Sequence, residues 1–268
     1  YMLGEDFTAI ETRLLEKTAR ILTPDILTSA LPAHGVVHAS PIEPGYLITK
    51  ESGMYYENDL LTQKLSAGSI SFYPACDTLL HKADVEYMVC DDILYQVDHT
   101  LSKTMIARAE TRMPARTVWV GLAVDDSLTD LENVSFYLDF PNLTESYEYL
   151  FLLPCTEWSA GGNPIRMEPG IYEKSRLPEE STRAFFRSYD VMSVIDKEVM
   201  ELYNKHFLRV SQPVPLDEVD KEPLPKALSS CFGERVREKM QEKLVWVKIV
   251  FPAHFTPEIL EELHAGIN

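Results

Sequence analysis

Cysteine, glycine and basic residues are all scarce in this chain, and each scarcity excludes something. Cys76, Cys90, Cys155 and Cys231 are far apart and irregularly spaced, with no Cys-x-x-Cys pair. That pattern supports neither a zinc ribbon nor a thioredoxin-like site, and four cysteines in 268 residues are too sparse for a disulfide scaffold. They are expected to be small buried hydrophobes in a reducing compartment. Glycine, at 11, is outnumbered by 17 prolines, which favours rigid extended connections over flexible linkers. Only 25 Lys and Arg stand against 42 Asp and Glu, a net charge of −17. Phosphate backbones and anionic lipid surfaces repel such a protein, so nucleic acid and direct membrane insertion are disfavoured. Charge of this sign serves solubility and speeds docking on basic partner surfaces. The longest apolar runs, 149–154 and 244–251, are too short to span a bilayer, and no secretory signal is visible. The chain opens on Tyr1 and stops at Asn268 just after a helix-like stretch, which reads as an excised fragment.

What is present is core material: 45% of residues are hydrophobic and 10% aromatic, enough for a globular interior. Phe7, Ile10, Leu14, Thr18, Ile21 and Leu22 recur at helical spacing and predict a first helix ended by Pro24, with a short apolar stretch at 26–31. From Pro32 the texture turns to short strands: 36–39, 46–49, 55–56, 69–73, 84–90, 104–113, 117–124 and 133–141. In 84–90, Val85, Tyr87 and Val89 are expected to share one face. The stretch 147–153 fits strand or helix, and 161–164 (Gly-Gly-Asn-Pro) is a turn. A helix is predicted over 192–207, extended chain over 211–225, a helical turn or two over 226–232, and a strong strand over 244–251. Thr256 and Pro257 are expected to open a last helix running through His264. The fold class expected is α+β, β-rich, with short antiparallel strands and a few packed helices. Its divisions would be a helical segment 1–31, a β-rich domain 32–210 and a mixed segment 211–268.

The search for chemistry finds no specific constellation: no Gly-x-Ser-x-Gly elbow, phosphate loop, dinucleotide fingerprint or His-Glu-x-x-His helix. His34 and His38 have a metal-like spacing but no third ligand nearby in sequence. Asp125, Asp126, Ser127, Asp130 and Glu132 form an acidic loop without the spacing or glycine of an EF-hand, and read as a solvated turn with a capping aspartate. Asp91 with Asp92, and Asp98 with His99, are neighbours in strand connections, with no sign of the shared pocket that acid–base catalysis needs. Trp119 and Trp246 lie in strand-like runs. Trp158 lies in a stretch rich in Ser, Ala and Gly, where exposure would mark a binding surface.

The order of segments carries a resemblance. An amphipathic helix (residues 7–22) leads into an Ile-Leu run and the proline-led LPAHGVVHASP; a tyrosine-proline stretch follows at 72–85; then come NVSFYLDFP and YEYLFLLP, MELYNKHFLRV, and finally LVWVKIVFPAHFTPEILEELHAGIN. This succession resembles the TssF family of type VI secretion baseplate subunits, in its divergent Bacteroidetes-type branch. The resemblance covers most of the chain and is made of loose segments without a short signature motif. It implies a structural, non-enzymatic subunit of the cytoplasmic baseplate wedge, with no cofactor. Partners implied are TssG-like, TssK-like and TssE-like proteins and other copies of the chain within the wedge. An assembly subunit leaves aromatic surface for its partners, for which Tyr55, Tyr56, Trp158, Phe185 and Phe186 are the candidates. The competing readings are a hydrolase with paired carboxylates in a cleft, and a carbohydrate-binding module with Trp158 and nearby tyrosines as its platform.

Overall fold

The computed structural model describes residues 14–15, 18, 33–56, 70–144, 146–171, 199–233, 236 and 240–267. The chain divides into Tyr1–Gly35 and Val36–Asn268. In the first unit Leu14, Leu15 and Thr18 are helical, and the Thr18 hydroxyl donates to the Leu14 carbonyl at 2.7 Å. The remainder of the predicted first helix and the 26–31 stretch lie outside the described residues.

The second unit is an α+β structure dominated by antiparallel sheets. Its strands are β1 (Gly45–Ile48), β2 (Met54–Tyr56), β3 (Ile70–Phe72), β4 (Thr78–His81), β5 (Ala83–Cys90), β6 (Ile93–Val97), β7 (Lys103–Arg108), β8 (Thr117–Val124) and β9 (Ser135–Asp139). Helix α1 (Ser146–Leu150) and a 3-10 turn at Leu153–Cys155 resolve the ambiguous apolar run in favour of helix. Then come β10 (Glu157–Ala160), β11 (Asn163–Ile165), β12 (Met167–Pro169), β13 (Phe207–Val210), β14 (Lys221–Glu222), α2 (Lys226–Ser229), β15 (Leu244–Val250), α3 (Pro257–Glu261) and β16 (His264–Ile267).

An eight-stranded sheet runs β11-β10-β15-β8-β5-β6-β7, with β14 also on β15; a four-stranded sheet runs β12-β13-β9-β16. The unbroken apolar run of β15 follows from burial on both faces. Val245, Val247 and Ile249 join Phe136, Leu138 and Leu208 of the smaller sheet in the main core. Leu244 and Trp246 turn to the opposite face, which Leu224, Leu228, Phe232 and Met240 cover. Strand β8 divides in the same way, Val118, Val120 and Leu122 to one side and Trp119 to the other. Alternation on a strand buried on both sides leaves no polar face to read.

Gly121 opposes Trp246 across the β8–β15 ladder, and a methyl group added there would lie 3.0 Å from the indole and 3.2 Å from Leu244. Gly121→Ala is therefore expected to overpack this face and cost about 1–3 kcal/mol in urea denaturation, with Gly121→Val worse.

The structure departs from the sequence reading at identifiable points. Strand β5 carries a bulge between Val85 and Tyr87. The extra residue reverses the alternation, so Val85 faces the main core with Met88 and Cys90, whereas Val89 faces the second cluster. Strand β7 ends at Arg108 rather than near residue 113. Helical chain at 199–203 gives way to a 3-10 turn at Asn204–His206, and Phe207 begins β13 because it pairs with Tyr137 of β9; 192–198 lie outside the described residues. The last helix stops at Glu261, and His264 starts β16, drawn into pairing with Asp139. In both cases a long-range ladder overrides helical periodicity. The expected boundary at 210 falls inside the second unit, since β15 lies between β10 and β8.

Candidate interaction surface

At 41–56 and 70–83 the chain builds two-stranded ribbons. Among the described residues, strand β1 pairs only with β4, and β2 only with β3. Pro41 and Pro44 withhold backbone donors before β1, and Thr49–Ser52 closes a turn through Ser52 N–H to the Thr49 carbonyl at 2.9 Å. The Asp77 carboxylate accepts from Lys50 N–H at 2.8 Å and fixes the register. Strand β4 passes through Lys82 directly into β5, so the ribbon is an extension of the large sheet. The preceding strap is tied to the same strand: Ser40 Oγ donates to Asp84 Oδ2 at 3.2 Å, and His38 Nε2 lies 3.5 Å from Asp84 Oδ1.

This ribbon region is the part of the described structure richest in exposed apolar side chains. Tyr46, Leu47 and Leu79 are 52%, 55% and 50% exposed, and Leu47 directly opposes Leu79 across the ladder. Val36, Val37, Ile42, Tyr55 and Tyr73 are exposed as well. Tyr55 and Tyr73 flank Gly53, where an added methyl would lie 3.6 Å from the Tyr55 hydroxyl and 3.6 Å from the Tyr73 ring. Isolated two-stranded ribbons are marginally stable in water, and contiguous exposed apolar surface marks interaction sites. A second, smaller aromatic surface lies on α1. Tyr147 and Phe151 meet edge to face at 4.6 Å, both exposed, with Lys205 Nζ 3.8 Å over the Tyr147 ring.

The candidate aromatics fare unequally. Tyr55 is exposed on β2. Tyr56 takes its place in the β2 backbone opposite Ile70. Phe185 and Phe186 lie outside the described residues. Trp158 is a correction: it is only 3% exposed, packed on Phe136 at 4.8 Å, with its indole N–H donated to Thr156 Oγ1 at 2.7 Å. Gly161 and Gly162, both at positive φ, form the tight turn that pairs β10 with β11, and β10 is thereby held in the sheet with Trp158 facing the core. The platform proposed for a carbohydrate is thus an interior side chain. Leu47 was legible only as a strand residue, in a short strand preceded by prolines, and Leu79 fell in no expected strand, although Thr78–His81 forms one.

The suspected acid–base and metal groups serve local structure. Asp98 Oδ1 accepts from Thr100 N–H, Thr100 Oγ1 and Ser102 N–H at 2.6–3.0 Å, hydrogen bonds that hold its carboxyl below the ordinary range. Asp125 does likewise with Ser127, and Asp130 accepts from Glu132 and Val214 N–H. Asp92 accepts from Met113 N–H, and Asp91 sits at φ 51° in the two-residue β5–β6 turn. Among the described residues no group of three or more His, Cys, Asp or Glu is placed to hold a metal ion. The cysteines are free thiols. Cys90 is buried, and burial raises its thiol to about 12, but Cys155 is exposed and Cys76 and Cys231 are half-buried. Uniform burial of the cysteines was therefore wrong; Cys155 ends a surface 3-10 turn.

One polar cluster escaped the sequence reading. Tyr137 Oη donates to Asp139 Oδ2 at 3.1 Å, and His206 Nδ1 lies 3.3 Å from Asp139 Oδ1 and 3.2 Å from the Leu138 carbonyl. Both atoms facing Nδ1 are acceptors, so Nδ1 carries a proton. The imidazole stacks on Tyr137 at 5.5 Å. Burial works to raise the Asp139 carboxyl, but hydrogen bonds from His206, Phe140 N–H and Tyr137 outweigh it and leave it below the usual value. A depressed folded pKa stabilises the fold above the unfolded aspartate value, and that contribution is lost as pH falls through the folded value. Asp139→Asn should therefore be less stable than the parent at neutral pH, with the gap closing in acid. Urea titrations of both proteins from pH 7 to pH 2 check this, and a gap constant with pH would contradict it.

No family model, curated protein or solved structure matches this chain. No helix among the described residues is long and apolar enough to cross a membrane.

Proposed function

We propose that this chain is a structural subunit of a multiprotein assembly, and that the assembly is the cytoplasmic type VI secretion baseplate wedge which the order of its segments resembles. The observation that carries the reading is the apolar ribbon, with Tyr46, Leu47 and Leu79 at least half exposed on strands that, among the described residues, pair only with each other. Obligate interfaces resemble a core cut in half, and a short ribbon bearing Leu opposite Leu is the kind of element that a neighbouring subunit completes. The partners are TssG-like, TssK-like and TssE-like proteins and further copies of the chain.

Co-expression of the full-length protein with the products of neighbouring genes tests this. Stable co-purification with TssG-like and TssK-like proteins supports the wedge. A chain that elutes alone and monodisperse from every such co-expression argues against it.

A further inference from the structure

The ladder between β1 and β4 fixes which way each peptide group of β1 points. Lys82 N–H donates to the Pro44 carbonyl at 3.0 Å, which makes residues 44 and 82 a hydrogen-bonded pair. Peptide orientation alternates along an antiparallel strand, so Tyr46 and Ile48 also turn theirs inward, to Leu80 and Thr78. Those of Gly45 and Leu47 turn outward, and among the described residues no strand pairs with that side of β1. Gly45, Tyr46 and Leu47 are all exposed, so this edge is open to solvent. Open edges are commonly guarded by charge, as β7 is by Lys103 and Arg108. Strand β1, Gly-Tyr-Leu-Ile, carries none.

A second copy of the same strand complements this edge. Paired antiparallel about Tyr46, Gly45 of each copy stands opposite Leu47 of the other, and these are the residues whose N–H and C=O groups point outward. The two Tyr46 side chains then meet at the position between hydrogen-bonded pairs, where side chains come closest and aromatic pairs are favourable. Gly45 leaves space for Leu47 of the copy, since a methyl group added there would have only the Leu80 carbonyl nearby, at 3.9 Å. Alternation places Leu47 and Leu79 of both copies on one face and Tyr46 and Leu80 of both on the other. Burial holds the His81 imidazole below its usual value, so it adds no charge to the leucine face at neutral pH. Continued outward, the register sets Glu43 opposite Thr49, Lys50 opposite Ile42 and Glu51 opposite Pro41, with no like charges directly opposed.

We infer that two copies of the chain join edge to edge through β1, forming a continuous four-stranded sheet with Tyr46 on its two-fold axis. The inference rests on the ribbon being an interface, and it assigns the β1 edge to a second copy. The joined ribbons present Leu47 and Leu79 of both copies as one apolar face for a further subunit. Four paired residues fall well short of the roughly 1,200–2,000 Å² that stable interfaces bury, so the dimer is weak, populated at about 100 μM and dissociated at about 1 μM.

Sedimentation equilibrium of the whole chain between about 1 and 200 μM reads the association. The parent should pass from monomer to dimer. Hydrogen exchange at the Gly45 and Leu47 amides should slow as concentration rises, while the Tyr46 and Ile48 amides, already bonded within the ribbon, should not change. Tyr46→Lys and Tyr46→Glu alter an exposed side chain and should melt as the parent does. Each should weaken dimerisation about tenfold or more by setting like charges opposite each other. An equimolar mixture of the two variants should associate again, because opposite charges then meet on the axis. A parent that stays monomeric throughout, a dimer indifferent to both substitutions, or a mixture no tighter than either variant alone would overturn the inference. A monomer that still co-purifies with a TssG-like protein, and loses it on joint Leu47→Asp and Leu79→Asp substitution, overturns self-pairing and leaves the ribbon reading standing. A β1 dimer that recruits no baseplate protein supports self-pairing and argues against the wedge.

Discussion

Trp158→Ala should lower the unfolding free energy by about 3–5 kcal/mol, the cost of emptying a large aromatic site in a packed core. The indole is 3% exposed, lies 4.8 Å from Phe136 and stands between Ile165 and Ile249 on the paired strands. Truncation removes the aromatic contact and leaves Thr156 Oγ1 without its donor. Urea denaturation monitored by far-ultraviolet circular dichroism measures the loss. A ligand-platform tryptophan would behave in the opposite way, changing stability by less than about 0.5 kcal/mol while abolishing sugar binding. The two outcomes separate a core residue from a binding residue without knowledge of any ligand.

Leu47→Asp combined with Leu79→Asp should do the reverse. Both side chains are at least half exposed, so the isolated chain is expected to fold and melt nearly as the parent. Assembly should suffer instead. The pair lies directly opposed on one face of the ribbon, and two carboxylates there would be desolvated against each other in any apolar interface. A loss of about 2 kcal/mol or more in partner affinity, roughly 30-fold, is the scale of an interface hot spot. Analytical size exclusion of the co-expressed proteins reads it directly. Intact complexes with the doubly substituted chain would move the interface away from β1 and β4.

How legible this was in the sequence depends on whether a segment's fate was local. The β-rich α+β class, the strong strand at 244–251 and the Gly161-Gly162 turn were readable, because apolar runs and positive-φ glycines act within a few residues. Both faces of β15 are buried because other strands and Leu224, Leu228, Phe232 and Met240 happen to cover them, which no window of that length reports. The bulge at Val85–Tyr87 has no local signature, and it alone moves Val89 to the other side of the sheet. Phe207 and His264 continued helical patterns but were claimed by β9, a strand more than sixty residues upstream. For the surface, Tyr55 is exposed, whereas alternation along β10 buries Trp158 despite its polar neighbours in sequence. Leu47 and Leu79 were invisible as a pair, since only the β1–β4 register brings them together. The Asp139–His206–Tyr137 cluster was hidden for the same reason.

The proposed assembly role rests on the exposed apolar ribbon being an interface. Hydrogen–deuterium exchange of the full-length chain, alone and within the co-purified TssG-like complex, tests it most directly. Exchange should slow in peptides covering 45–56 and 70–81 on assembly, with the β8 and β15 core unchanged. Unchanged exchange across both ribbons in a complex that demonstrably forms would contradict it.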